Sequence, residues 1–203
     1  MTVIIDYDAG NIRSVEKACR YLGKDVSVSR DPSVILNADH IILPGVGAFG
    51  AAMKSLEDRG LDEVIKRAVS LNIPFLGICL GLQLLYEESE ESPGVKGLGI
   101  LKGKIKKFEK KDKTMKIPHM GWNSLELSGD GRLFQNMEGT PYVYFVHSYY
   151  LDAENKTTVK AYCDYGCRFD ASVESGNVFA CQFHPEKSGK IGLQILSSFL
   201  ETK

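Results

Sequence analysis

Residues 73–86 read Ile-Pro-Phe-Leu-Gly-Ile-Cys-Leu-Gly-Leu-Gln-Leu-Leu-Tyr, and their hydrophobic period changes at Cys79. The residues before it predict a buried strand, and the leucines after it have the spacing of a helix packed on a sheet. Gly77 and Gly81 stand two residues to either side of the cysteine. A sharp strand-to-helix turn needs residues without a Cβ close by. The stretch therefore predicts a nucleophile elbow, with the sulfur raised out of a sheet.

Cys79 has two interpretations at this point. The helix that follows would direct free N–H groups and the positive end of its dipole at the sulfur, which favours thiolate over thiol and hence a reactive cysteine. Free cysteines are more commonly small buried hydrophobic residues, and this stretch alone leaves that interpretation of Cys79 open.

Length and charge limit the classes of protein that this chain can belong to. We expect a single domain over residues 1–203, because a chain of this length buries about 70% of its unfolded surface in one core. The 25 basic and 26 acidic residues leave a net charge of −1, so neither nucleic acid nor a membrane surface is an expected partner. Five cysteines, an odd number, and a start without a basic stretch or cleavage site predict a cytoplasmic location. The run at residues 73–86 is too short to span a membrane.

The first half of the chain alternates short apolar strands with helical patterns. Strands are predicted at residues 3–5, 26–28 and 41–43, and helices at 12–22, 48–56 and 61–71, with a polar connection starting at residue 32. Asn11 is placed to cap the first helix or to contact a ligand or partner. The alternation predicts an α/β fold with a parallel central sheet flanked by helices. Ligands bind beyond the carboxyl ends of such strands, where Cys79 lies.

The Pro-Gly-Val-Gly loop at residues 44–47 follows one of these strands. Its backbone can approach a substrate closely, and the N–H groups of Val46 and Gly47 would complete an oxyanion hole with the N–H of Leu80. The alternative is a tight turn into the next helix, and the loop by itself does not separate the two.

The second half of the chain is rich in predicted strands. They are expected at residues 98–101, 104–108, 116–127, 142–151, 158–163, 169–173 and 178–183, followed by a closing helix at 191–200. The lysines of residues 110–113 predict a solvated hairpin tip and not a nucleic-acid-binding patch, since no aromatic residues interleave with them. The acidic run at residues 87–91 is either a solvated helix end, which its spacing favours, or a carboxylate source for a substrate ammonium group.

A nucleophilic cysteine needs a base, and His184 is the strongest of the four histidines. It follows a predicted strand end, and Pro185 keeps it extended. Residues i and i+2 of an extended segment project to one side, so Glu186 can hold the ring of His184. Alone, His184 would be a capping or core histidine. Together with the elbow it completes a nucleophile, base and orienter in the chain order that α/β elbow enzymes use.

A zinc site is the competing use of these residues. Cys163, Cys167, Cys181 and His184 would supply four ligands. Their spacing is poor for paired zinc ligands, and the interval from Cys181 to His184 crosses a strand end. We therefore expect no metal site.

Residues 77–83 and the Phe-His-Pro-Glu of residues 183–186 resemble the class I glutamine amidotransferases. Four further blocks resemble the glutaminase subunits of imidazole glycerol phosphate synthase in histidine biosynthesis; they lie at residues 6–11, 44–49, 118–123 and 144–149. The resemblance spans essentially the whole chain. It implies a flavodoxin-like α/β fold with a mostly parallel central sheet and a β-rich second half, and no cofactor. Asp8 departs from it, because that family usually has glycine there.

The resemblance also implies roles for individual residues. Cys79 would be the nucleophile, His184 the general base and Glu186 its orienter. Glutamine would be held by Gln83, Glu91, His147, Ser148 and Tyr149. The resemblance also implies an obligate partner, a (β/α)₈ barrel cyclase that makes imidazole glycerol phosphate and AICAR from the released ammonia. The two subunits would form a heterodimer, with the contact near Asn11, Trp122, Tyr144 and Lys187. Ammonia that reaches neutral water is mostly protonated, so it needs a dry channel.

Two other functions remain open from the sequence. A glutaminase subunit of another synthase, such as pyridoxal phosphate synthase, would differ in the barrel that co-purifies with it. A non-catalytic thiol-sensing or binding module would need only the elbow, and a glutamine analogue would then fail to label Cys79.

Overall fold

The computed structural model describes residues 1–135 and 137–203. Its helices are α1 Ile12–Tyr21, α2 Pro32–Leu36, α3 Phe49–Glu57, α4 Leu61–Ser70, α5 Leu80–Leu84 and α6 Gly189–Leu200. Its strands are β1 Thr2–Ile5, β2 Val26–Ser29, β3 His40–Gly45, β4 Phe75–Cys79, β5 Glu88–Ser89, β6 Gly103–Lys107, β7 His119–Ser124, β8 Glu126–Leu127, β9 Tyr142–His147, β10 Tyr149–Ala153, β11 Val159–Asp164, β12 Arg168–Ser175 and β13 Val178–Cys181. No helix among these residues is long and apolar enough to cross a membrane.

The main sheet combines a parallel and an antiparallel part. Its strand order is β2-β1-β3-β4-β13-β12-β10-β6-β5, with β11 and β8 joined beyond β12. The strands from β2 to β13 pair in parallel, whereas β12 and β10 pair antiparallel with their neighbours. The predicted α/β fold with its parallel central sheet is thus confirmed. The β-rich second half of the chain forms the antiparallel part.

Helices cover the parallel strands on both faces. Val3 and Ile5 of β1 pack in one core cluster with residues of α3 and α4, while Ile4 packs in the other with residues of α1 and α6. Every residue of β1 and of β4 is buried. Strands that are covered on both faces read as continuous apolar runs, which is why these two strands could be found in the sequence.

Two predicted strands are interrupted. Strand 142–151 breaks at Ser148, because β9 pairs with β7 in a separate two-stranded sheet while β10 joins the main sheet. Strand 116–127 breaks at Leu125, whose N–H donates to Pro141, so that β7 and β8 lie in different sheets. A continuous apolar pattern does not show where a chain changes sheets.

Four other local predictions were wrong. Residues 110–113 are not a hairpin tip, because β6 before them and β7 after them lie in different sheets. Residues 98–101 form no strand, because the N–H groups of Leu98 and Ile100 donate to carbonyls at the end of α5. The acidic run at residues 87–91 does not end a helix, since its central residues form β5 parallel to β6. The connection at residue 32 is helix α2, capped by Asp31, whose Oδ1 accepts from the N–H of Ser33 at 2.8 Å.

Asp8 keeps the backbone conformation for which glycine is the usual choice. Its φ angle is +64°, in the left-handed region that aspartate tolerates better than most residues. The carboxylate forms ion pairs with Arg30, at 2.7 Å, and with Arg59. Hydrogen bonding to Arg30 is the main cause that lowers the pKa of Asp8. Asp8 therefore adopts the left-handed turn and adds ion pairs to it.

Candidate active site

Cys79 is the last residue of β4, and α5 begins at the next residue. Its backbone has φ +56° and ψ −108°, which is rare for a residue with a side chain and costs on the order of 1–3 kcal/mol. Such strain persists where the surrounding structure enforces it. The strand-to-helix turn predicted from the change of hydrophobic period is present at this residue.

Two close backbone contacts explain the glycines of the elbow. A Cβ added at Gly81 would lie 2.0 Å from the carbonyl oxygen of Leu43, and one at Gly77 would lie 2.6 Å from the carbonyl oxygen of Gly81. Neither position can hold a side chain without movement of the backbone. The glycine spacing is therefore a requirement of the turn that presents Cys79.

His184 and Glu186 form a buried ion pair beside the elbow. Nδ1 of His184 lies 2.8 Å from Oε1 of Glu186, and the two side chains are 2% and 0% exposed. His184 itself has extended backbone dihedrals, and Glu186 lies in the short 3₁₀ turn that follows. Nε2 of His184 has no hydrogen-bond partner among the described residues. Nε2 can therefore interact with Cys79 or with a molecule bound in the cavity that His184 and Cys79 both line.

The charge state of His184 follows from its surroundings. Burial lowers its pKa, but the interactions with Cys79 and Glu186 outweigh burial and raise the pKa to about 9. The ring is therefore protonated at neutral pH. A positively charged imidazole beside Cys79 stabilises a negatively charged sulfur.

Asn11 supports the ion pair from behind. Its Nδ2 donates to Oε1 of Glu186 at 3.1 Å, so this one carboxylate oxygen accepts from both Asn11 and His184. Asn11 occupies the N-cap position of α1, yet its side chain makes no capping hydrogen bond. Its side chain is used to hold Glu186.

One cavity of about 330 Å³ opens beside Cys79. A volume of this size lies in the range of sites for small molecules. Every residue that was predicted to attack, to form the oxyanion hole or to bind substrate lines this cavity. Glu186, the predicted orienter, does not line it and lies behind His184. The lining residues are Val46, Gly47, Cys79, Leu80, Gln83, Glu91, Pro118, Val146, His147, Ser148, Tyr149 and His184.

The loop after β3 runs directly past the elbow. Gly45 is in register with Cys79, and the hydroxyl of Tyr7 donates to the carbonyl of Pro44 at 2.9 Å. Gly47 has a φ angle of +99°, which is open mainly to glycine. The hydrogen bond to Pro44 fixes the start of the loop, and the conformation of Gly47 lets the chain turn sharply at its end. Val46 lies between these two residues.

The side chain of Glu91 lies against the N-terminus of α3. Its Oε2 accepts from the N–H of Phe49 at 2.7 Å, where the helix dipole favours a negative charge. The carboxylate also lines the cavity. Glu91 is therefore placed at the site, contrary to the solvated helix end that spacing alone favoured.

A buried hydrogen-bond chain behind the cavity was missed from the sequence. Its four links join Asn123 Nδ2 to His119 Nε2 at 3.3 Å, His119 Nδ1 to His147 Nε2 at 3.0 Å, His147 Nδ1 to the Tyr149 carbonyl at 2.8 Å, and Gln83 Nε2 to the same carbonyl at 3.1 Å. Burial lowers the pKa of His119 to about 4 and that of His147 to about 3, so both rings are neutral at pH 7.

The direction of each hydrogen bond in this chain is fixed. A carbonyl only accepts, so Nδ1 of His147 donates and its Nε2 accepts from His119. Nε2 of neutral His119 must then accept from Asn123. The chain defines both tautomers and anchors Tyr149, and no local sequence pattern connects these distant residues.

Gln182 is a second residue that sequence reasoning missed. It is fully buried, and its Nε2 lies 3.7 Å from the sulfur of Cys79. A signal was available, because Gln182 and His184 are two residues apart in an extended segment and project to one side.

The residues predicted to meet a partner fall into two places. Trp122 and Tyr144 are paired in register on the outer face of the β7–β9 sheet, and Nζ of Lys187 lies 6.0 Å from the ring centre of Tyr144. Met120 and Tyr142 add exposed apolar surface on the same strands. Asn11 lies apart from this face, against Glu186.

The residues considered as zinc ligands do not assemble. Within residues 1–135 and 137–203, no group of three or more histidine, cysteine, aspartate or glutamate side chains is arranged to hold a metal ion.

The fold and this site define a class I glutamine amidotransferase, and the family model of that description matches residues 3–202. A solved structure described as a glutamine amidotransferase has the same fold, with a TM-score of 0.76 and 21% identity over 98% of this chain and 97% of that one. The chain belongs to the HisH family of imidazole glycerol phosphate synthase subunits. It is 49% identical to the HisH subunit of Methanocaldococcus jannaschii, over 99% of each chain. It is 45% identical to the chloroplastic hisHF synthase of Arabidopsis thaliana, over 100% of this chain and 34% of that protein.

Proposed function

We propose that the chain releases ammonia from glutamine through a thioester on Cys79. The thiolate attacks the side-chain amide carbon and forms a tetrahedral oxyanion. Protonated His184 then gives its proton to the nitrogen, the carbon–nitrogen bond breaks, and ammonia leaves a thioester on the sulfur. Neutral His184 next removes a proton from water, which attacks the thioester and releases glutamate. Glu186 holds the ring of His184 through both steps.

The oxyanion would be bound by backbone N–H groups from both sides of the elbow. Leu80 supplies the first N–H of α5, and the loop beside it supplies those of Val46 and Gly47. The register of Gly45 with Cys79, which brings this loop to the sulfur, supports the assignment. Donors of this kind contribute roughly a hundredfold to a thousandfold each to the rate.

Glu91 would bind the ammonium group of glutamine. It is the one carboxylate among the described residues that line the cavity, and the polar residues Gln83, His147, Ser148 and Tyr149 line the same cavity. The combination of Cys79, protonated His184 and Glu91 in a single cavity carries the proposed function.

The released ammonia would pass to a (β/α)₈ barrel cyclase that makes imidazole glycerol phosphate and AICAR. Transfer needs a sealed contact, and the exposed apolar face of the β7–β9 sheet supports one there, with Trp122, Tyr144 and Lys187 near it. Asn11, the fourth residue proposed near the partner, lies apart from this face. The match to only 34% of the Arabidopsis hisHF synthase is consistent with a second component. We further propose that residues 1–203 act as one domain in the cytoplasm, which the five free cysteines support.

Trp122 provides the test of this contact. We expect Trp122→Lys to reduce co-purification with the co-expressed barrel by at least tenfold, because a charge would replace a ring that is 57% exposed on an apolar face. Leu71→Lys is the matched control. Leu71 is also exposed, and it lies between the end of α4 and the start of β4, whereas Cys79 is at the other end of that strand. Equal retention of both variants would contradict the proposed surface. Glutamate release by the wild-type complex, measured in the same preparations, tests the proposed hydrolysis of glutamine.

The rate of glutamine hydrolysis should fall at high pH. His184 holds its proton below its pKa of about 9 and loses it above, so the acid that protonates the departing nitrogen disappears as the pH rises through 9. We expect kcat/KM for the complex to decrease about tenfold per pH unit beyond that point. Glutamate, whose detection does not depend on the protonation of ammonia, is the product to measure. A kcat/KM that still increases at pH 10 would show that His184 is not the acid.

A further inference from the structure

The sulfur of Cys79 has a second polar neighbour besides His184. Nε2 of Gln182 lies 3.7 Å from it, within the range of an N–H···S hydrogen bond, and the Gln182 side chain is shielded completely from solvent. The backbone N–H of Gln182 donates to Ala171, so the residue is fixed on the sheet at its main chain as well. A buried amide aimed at the reacting atom requires an explanation that the Cys79, His184 and Glu186 set does not supply.

The orientation of the Gln182 amide follows from Gln83. The carbonyl of Tyr149 can only accept, so the atom of Gln83 that faces it is Nε2. The second N–H of this nitrogen points at Gln182, 3.0 Å away, and needs an acceptor there. Oε1 of Gln182 must therefore face Gln83, which leaves its Nε2 facing the sulfur. A flipped amide would set two N–H donors against each other and leave the sulfur facing an oxygen.

This orientation selects the form of Cys79 that accepts hydrogen bonds. The other hydrogen-bonding neighbour of the sulfur in the described residues is the carbonyl of Val146, at 4.0 Å, which would suit a thiol donor only weakly. The donor on Gln182 is closer and its direction is fixed. Hydrogen bonds to an ionised acceptor are about twice as strong as those between neutral groups.

We propose that Gln182 is a further catalytic residue, which donates a hydrogen bond to the Cys79 thiolate and is oriented for this by Gln83. The inference rests on the proposed role of Cys79 as the nucleophile. His184 stabilises the thiolate as a proton donor and gives its proton away during the reaction. Gln182 keeps its donor at every step, and so it stabilises the sulfur both before attack and when the thioester breaks.

The test is the rate of alkylation of Cys79 by iodoacetamide, followed by mass spectrometry of its peptide. Gln182→Met keeps the length of the side chain and removes the donor, and at neutral pH we expect alkylation to slow roughly tenfold to hundredfold. At a pH high enough to ionise any thiol, the rates of variant and wild type should converge. A circular dichroism spectrum that matches the wild type at each pH excludes misfolding as the cause, because the thiol of an unfolded chain would also ionise and react at high pH.

Two further variants complete the experiment. Gln83→Met removes the group that orients Gln182 and should slow alkylation less than Gln182→Met, and it carries the test if Gln182→Met does not fold. Ser172→Ala removes a buried hydroxyl that bonds to Ala180 on the neighbouring strand, and it should alkylate like the wild type. Wild-type alkylation rates at neutral pH in Gln182→Met, with or without glutaminase activity, would overturn the proposal. Failure of the wild-type complex to hydrolyse glutamine would instead overturn the proposed function.

Discussion

Replacing Cys79 with alanine should abolish glutamine-dependent synthesis by the complex and leave ammonia-dependent synthesis intact. Removal of the nucleophile from a comparable triad costs on the order of a millionfold in kcat, because no other group of the site can form the covalent intermediate. The proposed barrel would take free ammonia in place of glutamine, so ammonium salt at a pH that populates the base should restore product formation. Excess glutamine should not. The measurement is product formation with each nitrogen source.

The alanine substitution is mild for the fold. Cys79 has a φ angle of +56°, and alanine keeps the same Cβ, so the turn experiences no new clash. Cys181→Ala is the matched control, since Cys181 is a buried cysteine at the end of the adjacent strand β13. It should retain activity with glutamine. Glutamine-driven synthesis by Cys79→Ala would contradict the assignment of the nucleophile, and loss of ammonia-driven synthesis would contradict the separation of the two sites.

The elbow and the histidine segment could be predicted from sequence because both are local. The change of hydrophobic period and the glycine spacing identify Cys79. The contact of Glu186 with His184 was also predicted, but its reason was wrong: only His184 is extended, and Glu186 reaches the ring from a 3₁₀ turn instead of by the two-residue alternation of a strand. Each inference uses residues within a few positions of one another. The central sheet could be predicted from the sequence for a similar reason, since buried parallel strands are short continuous apolar runs.

Contacts that depend on the exchange of strands between sheets could not be predicted. Ser148 interrupts an apolar pattern that looks continuous, and the break places Tyr149 in a different sheet from His147. The chain from Asn123 to Tyr149 exists only because β7 and β9 pair in register, which no local pattern states. Glu91 was misjudged for a different reason: its partner Phe49, at the start of α3, is 42 residues away in sequence, and local spacing does not show that contact.

The partner of His184 is the second position where a small change should have a large effect. In Glu186→Gln the amide oxygen can still accept from Nδ1 of His184, so the ring keeps its place. The negative charge is lost, however, and it is one of the causes that raise the pKa of His184. We expect kcat for glutamine to fall by on the order of a hundredfold to ten-thousandfold, the usual contribution of a positioned general acid, because the imidazolium is less stabilised. The pH at which activity declines should move below 9, because a less stabilised imidazolium loses its proton earlier.

Three measurements make this result specific to the charge of Glu186. An NMR titration of the His184 ring should show its pKa lowered in Glu186→Gln, a shift that a merely local packing defect would not produce. Ammonia-dependent synthesis should be unchanged, since under the proposed division of labour the barrel would not use this carboxylate. The matched control is Glu174→Gln, which neutralises another largely buried carboxylate, 2.6 Å from Arg132, away from the cavity. It should lose stability and keep its rate with glutamine. If Glu186→Gln retained the wild-type rate and pH profile, the hydrogen bond to Nδ1 of His184 would be sufficient and the charge of Glu186 would have no part in the reaction.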